Sequence, residues 1–311
     1  MGASRPQTPR CFLVLDYLFS STRKLQFYVE LAVKCFKSEV CPKLSAYRNL
    51  LLSTAIGDIS GKPYESRRTR TKDYDSIDLL LPENTYSDDT VCTFACADAL
   101  LNHKDMAKTI KERCQADRHR GYGGRFRQWL DADGIQPSYH SFGNGSAMRV
   151  SAAGFMAKSE DECIQLAKET AMPTHDHPEG IKGAVATALA IYYCMNGHDK
   201  AHIKEKVLDE YYPDWSGKSY SEIKPDYHFD SSCQGSVPVA IISFLESKDF
   251  VDCLKLAISL GGDSDTLAAI AAPIAYAHYR VIPEELLDNA RKKLPKWMLD
   301  LSEAFNEYCF E

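Results

Sequence analysis

From residue 47 onward, nearly every patterned stretch repeats its apolar residues at the three- and four-residue spacing of a helix. Alternating apolar and polar runs, the mark of half-buried strands, are nearly absent. That feature leaves helix-on-helix packing as the way to bury a core, and all-α is the fold class expected. Start signals punctuate the pattern. Ser87 precedes 88–101, in which Val91, Phe94, Ala95 and Ala99 recur at helical spacing. Ser159 with Glu162 forms a capping box ahead of 160–171, and Pro178 opens 178–195. Further helices are expected over 249–260, 265–279, 284–294 and 297–309, and an apolar stretch over 47–56 ends at Gly57-Asp58. Glycine and proline cluster at 57–63, 121–124, 134–145, 213–217 and 235–238, and these segments are read as loops.

The length of 311 residues admits one large domain or two small ones, and no internal repeat divides it. Residues 47–311 are read as one large helical domain. Residues 1–46 differ, with three cysteines, scattered aromatics and a helix expected over about 24–37; they form an N-terminal extension of unknown role. The net charge of −6 supplies no basic field for nucleic acid or anionic lipid. No apolar run reaches the length of a membrane span, and Asp16 interrupts the one signal-like run, 11–19. Pro6 stands where a myristoylation motif needs Ser or Thr. A cytoplasmic monomer is expected. The eleven cysteines contain no CxxC pair and are read as reduced, mostly buried thiols.

Two acidic motifs stand at helix starts: Ser87-Asp88-Asp89-Thr90 and Gly261-Gly262-Asp263-Ser264-Asp265-Thr266. Each offers two carboxylates and hydroxyls within four residues, the hard oxygen donors that Mg²⁺ and Mn²⁺ take. Either motif alone is as readily a helix cap. Two of them in one chain suggest a site for one or two metals. Gly57-Asp58-Ile59-Ser60-Gly61-Lys62-Pro63-Tyr64-Glu65 adds two carboxylates in what reads as a tight loop. In Ser141-Phe142-Gly143-Asn144-Gly145-Ser146-Ala147-Met148-Arg149, small residues before a helix start suit a phosphate or a plain turn. Thr174-His175-Asp176-His177-Pro178-Glu179-Gly180 lacks zinc-ligand spacing and reads as a substrate contact or a helix cap. The basic run Arg67, Arg68, Arg70 and Lys72 is either a solvated loop or a patch that steers substrate.

Taken in this order, the blocks GDISGKPYE, YSDDT, FGNGSAMRV, THDHPEGIKGA and LGGDSDTLAAIAA resemble the ADP-ribosylglycohydrolase family over about 47–311. That family includes the dinitrogenase-reductase-activating glycohydrolases and the ADP-ribosylhydrolases; GYGGRFRQWL (121–130) and 231–247 look like its bacterial members. The resemblance implies a single large orthogonal helical bundle with two divalent cations, Mg²⁺ or Mn²⁺, in a cleft. It implies Ser87, Asp88 and Asp89 as one ligand group and Asp263, Asp265 and Thr266 as the other. Glu65 matches a glutamate near the metals, and Asp58 an acid that supports the first loop. Gly143, Asn144, Gly145 and Ser146 match the diphosphate loop, His175 a histidine near the nucleotide, and Phe142 a base or ribose contact.

The activity expected is hydrolysis of the glycosidic bond joining ADP-ribose to a protein side chain or small acceptor, with Asp89 or Glu65 moving the proton. The alternatives are a two-metal nucleotide phosphohydrolase and a non-catalytic ADP-ribose-binding or structural protein on the same fold.

Overall fold

The computed structural model describes residues 48–310. The extension 1–46, with the helix expected over 24–37, lies outside the described residues. Among these residues the chain is helical, and its one β pairing is the isolated bridge between Gly143 and Ser232. α1 (Leu50–Gly61) runs into a 3₁₀ turn, Lys62–Tyr64. After a long loop come α2 (Asp88–Leu101), α3 (Met106–Ala116), α4 (Gly124–Asp131), α5 (Gly145–Met148), α6 (Ser151–Met156), α7 (Glu160–Ala171) and α8 (Pro178–Met195). α9 (Lys200–Ile203) leads into a π-helical turn, and α10 (Tyr220–Ile223) precedes α11 (Cys233–Glu246) and α12 (Phe250–Ile258). α13 (Ser264–Tyr279), α14 (Glu284–Lys293) and α15 (Lys296–Phe310) complete the order. The all-α expectation holds.

The core is built around α13, whose residues are buried continuously from Ser264 to Ala277. A helix apolar on every side must be enclosed, and α1, α8, α11 and α12 enclose this one. α1 is likewise buried from end to end, and the two pack at unusually close range. A Cβ on Gly57 would lie 2.3 Å from the Ala268 carbonyl oxygen, and one on Gly61 would lie 2.4 Å from that of Ser264. The glycines at 57–61 therefore belong to a helix and not to the expected loop. They are glycine because another backbone occupies the space a side chain needs.

The segment 235–238 is likewise helical and not the expected loop. It lies inside α11, where Ser232 caps the first turn by accepting from Gly235 N–H at 3.2 Å. The apolar run after it is buried against α13, and that burial overrides the local preference of Gly235 and Pro238. α3 and α4 were not anticipated. Asp105 caps α3, its carboxylate accepting from Lys108 N–H at 2.7 Å.

The ends of several of these elements meet on one side of the core. The starts of α2 and α13, the short α5 and the turn after α1 pack against one another there. No helix among the described residues is long and apolar enough to cross a membrane. The described cysteines are all free thiols.

Candidate active site

Asp58 projects from the last turns of α1 and ties the first acidic motif to the core. Its Oδ2 accepts from Ser87 N–H at 2.8 Å, Thr90 N–H at 3.1 Å and the Thr90 hydroxyl at 2.5 Å. These bonds satisfy free donors at the start of α2 and fix its entry angle. Ser87 completes the cap, accepting from Asp89 N–H at 3.2 Å and donating to Asp89 Oδ2 at 3.0 Å. Asp88 N–H donates to the Arg120 carbonyl at 3.0 Å, so the loop before α4 holds the other side of the motif.

The second motif arrives on the other helix. Gly261 takes φ +72 and turns the chain into Asp263 and α13. Asp263 Oδ2 accepts from Asn144 Nδ2 at 2.9 Å, and Asp265 Oδ1 from Thr266 N–H at 3.0 Å. One oxygen each of Asp58, Asp89 and Asp265 lies within 4.8 Å of the others, and the same holds for Glu65, Asp263 and Asp265. Asp265 belongs to both groups.

The inner carboxylates of the site are buried. Asp58 is fully buried and Asp89 and Asp265 are 2 % exposed, yet Oδ1 of Asp58 and of Asp89 has no hydrogen-bond partner among the described residues. Burial, then the mutual repulsion of the carboxylates, pushes Asp89 and Asp263 well above the usual carboxylate range. Asp88 is pushed up to about 8 by burial and then by Asp265. Buried acceptors without donors, on a wholly carboxylate donor set, fit a hard divalent cation.

The carboxylates form part of the wall of a cavity of about 430 Å³, within the range of small-molecule sites. Glu65, Asp88, Asp89, Asp263, Asp265 and Thr266 line one part, and Gly143, Asn144, Gly145 and His175 another. Asn144 joins the two through its bond to Asp263, and its amide also donates to Ser236 at 3.0 Å.

A model of the ADP-ribosylglycohydrolase family matches residues 42–310. This chain belongs to that family. It is therefore a hydrolase. It is 27% identical to an ADP-ribosylhydrolase ARH3 of Bos taurus, over 81% of this chain and 90% of the relative. It is 26% identical to the Homo sapiens protein of that name, over 78% and 88%. An uncharacterised protein of Archaeoglobus fulgidus is 25% identical over 79% and 92%. A solved chain described as part of an ADP-ribosylglycohydrolase-related protein complex superposes with a TM-score of 0.65 at 20% identity, covering 86% of this chain and 98% of that one. That likeness carries the fold.

Within this family member, the remaining expected residues are placed unequally. His175 is 5% exposed; burial, then Arg149 and Arg125, holds it well below the usual imidazole range, and it is neutral. Thr174 Oγ1 accepts from Arg149 at 2.9 Å and lies within hydrogen-bond distance of His175 Nδ1 at 2.7 Å. The ring's Nε2 faces Gly143 and Gly145. Ser146 turns away from the cavity and donates to the Gly180 carbonyl at 2.7 Å. Phe142 is 47% exposed, with its ring edge-on to His177 at 5.4 Å, and is not part of the lining. Ser87 is buried beneath the lining, its hydroxyl engaged with Asp89.

Lys62, Arg149, Arg125, Tyr139 and Phe229 were not singled out from the sequence. Arg149, 1% exposed, caps the end of α7 through the Thr170 carbonyl at 2.7 Å and lines the cavity. Its place at the end of the 141–149 block was the signal available. Arg70, from the basic run, lies over the Phe229 ring at 4.7 Å and donates to the Glu65 carbonyl at 2.6 Å.

Proposed function

We propose that this hydrolase cleaves, with divalent metal, the glycosidic bond between the distal ribose of ADP-ribose and a protein side chain or small acceptor, releasing ADP-ribose. The observation that carries the reading is the convergence of both acidic motifs and Glu65 on one wall of a cavity whose other side is the small-residue loop 143–145 with His175. Asp58, Asp89, Asp263 and Asp265 would hold the metal, with Asp88 and Thr266 alongside. Bound Mg²⁺ or Mn²⁺ supplies charge neutralisation and orientation of ribose hydroxyls and water.

The chain's own groups do the rest. Glu65 reaches the cavity with its side chain 35% exposed, so of the two candidate proton carriers it is the one that meets water. Asp89 is buried and capped by Ser87, which suits a ligand that must not move. The carboxylate wall favours the positive charge that develops at the anomeric carbon. The small-residue loop 143–145, with His175 Nε2 against it, is the side of the cavity that a diphosphate would take.

The test is a panel of ADP-ribosylated acceptors assayed with and without EDTA, with the products separated. Free ADP-ribose released only in the presence of metal is the expected result. AMP with ribose phosphate would replace this reading with a phosphohydrolase, and release that survives EDTA would remove the metal from it.

A further inference from the structure

One cation already stands among these carboxylates. Lys62, in the turn that follows α1, places Nζ 2.5 Å from Glu65 Oε2 and 2.9 Å from Asp265 Oδ2. Its side chain is 24% exposed, and it lies on the same side as Asp88, since a Cβ on Gly121 would be 3.4 Å from both Lys62 Nζ and Asp88 Oδ1. Burial works against the ammonium, but Asp265 and Glu65 outweigh it and hold it charged. The two carboxylate groups are thus unequal. Glu65–Asp263–Asp265 has two of its three members bonded to Lys62. Asp58–Asp89–Asp265 has one, and retains the two unpartnered oxygens of Asp58 and Asp89.

We propose that Lys62 competes with a divalent cation for the Glu65–Asp263–Asp265 group, which makes this chain's metal sites one tight and one weak. The proposal rests on the metal reading above. A tethered ammonium bonded to two of the carboxylates must give way before a dication can take them, and it adds repulsion to any ion placed there. On the Asp58–Asp89 side the ammonium holds only the shared Asp265, and Oδ1 of Asp58 and of Asp89 has no partner among the described residues. Lys62 therefore lowers occupancy of the second position and keeps the site partly neutralised when metal is scarce. It acts through Glu65 and Asp265 and is a positioning residue.

The test is calorimetric titration of the full chain with Mn²⁺ and with Mg²⁺, for the wild type, Lys62→Met and Lys62→Arg. The wild type is expected to show one tight and one weak class of site. In Lys62→Met the weak class should tighten at least about tenfold while the tight class shifts about threefold or less. Lys62→Arg, which keeps the charge, should follow the wild type. A second measurement needs no variant. Acylation of lysines in the wild type, mapped by mass spectrometry, should find Lys62 protected in EDTA and exposed by saturating Mn²⁺.

Equal isotherms for wild type and Lys62→Met, or Lys62 labelling that metal does not raise, would overturn the proposal and leave the metal reading intact. No binding by any of the three proteins would overturn both.

Discussion

Helix α2 carries buried carboxylates at both ends, and the two ends treat them in opposite ways. At its start stand Asp88 and Asp89, crowded by Asp58, Asp263 and Asp265 and pushed upward by burial and by one another. At its end stands Asp98, also buried, at 3% exposed against 2% for Asp89. Asp98 receives Lys104 at 2.7 Å, Arg113 at 2.8 Å and 3.1 Å, and Asn102 at 2.8 Å. Burial works against its charge, but these donors prevail and hold it below the usual carboxylate range. The helix dipole favours an anion at the start and opposes one at the end, so dipole alone would predict the reverse. What decides is whether the protein supplies the cation. At the end it does, and the carboxylate is structural. At the start, among the described residues, the ion pairs are those of Lys62 with Glu65 and Asp265, and the remaining charge is left for something that binds.

The largest test of this contrast is Asp89→Asn. Loss of roughly a hundredfold to a thousandfold in turnover is expected, while the metal-free protein melts no lower than the wild type, because one of several repelling charges is gone. A variant with full activity would remove Asp89 from the site. One that loses its fold in EDTA would make Asp89 structural, like Asp98.

The next effect is on pH. In EDTA, Asp88 has a folded-state pKa of about 8 against 3.8 unfolded. A group raised by folding contributes stability that is fully present below the unfolded value and is lost as pH rises through the folded one. The melting temperature of the chelated protein should therefore fall between about pH 4 and about pH 8, and saturating Mn²⁺ should flatten the fall. Asp98 has the opposite sign. Its contribution is present above the unfolded pKa and is lost as pH drops through its lowered folded value. A chelated protein whose melting temperature rises or stays level across the neutral range would break the contrast.

Asp98→Asn should cost about 1–3 kcal/mol in urea unfolding, because Lys104 and Arg113 lose their counter-ion but still reach solvent. Its activity per folded molecule should stay within about twofold. A loss of activity at unchanged stability would show that the two ends are coupled.

This contrast was half legible in the sequence. Asp88-Asp89 and Asp263-Ser264-Asp265 stand out because their chemistry is local, with several oxygens in a few residues at a visible helix start. Helices with a clean period, such as 160–171 and 178–195, were legible for the same reason. Asp98 was not, because its partners Lys104 and Arg113 come from the next turn and the next helix and share no motif with it. Lys62 was hidden inside a block read as a loop. Gly57 and Gly61 looked like turn residues, and only the Ala268 and Ser264 carbonyls against them show why glycine stands there. The diphosphate loop was read as one unit, yet Gly143, Asn144 and Gly145 line the cavity while Ser146 bonds to Gly180 behind it. Sequence adjacency cannot tell which way successive side chains turn in so tight a bend.

Ser87 gives the smallest effect and the finest division between the two roles a buried oxygen plays at the start of α2. By sequence it was grouped with the metal ligands. In the structure its hydroxyl proton goes to Asp89 Oδ2 and it accepts from Asp89 N–H, which is the work of a cap. Loss of an N-cap costs about 1 kcal/mol. Ser87→Ala should therefore lower stability by about that much with or without metal, and weaken Mn²⁺ binding less than about tenfold, the lower bound for loss of a group that orients a ligand. Ser87→Thr, which keeps the hydroxyl, should restore both. If Ser87→Ala abolishes Mn²⁺ binding while stability in EDTA is unchanged, Ser87 is a ligand outright, and the start of α2 holds its cation with one more oxygen than the carboxylates supply.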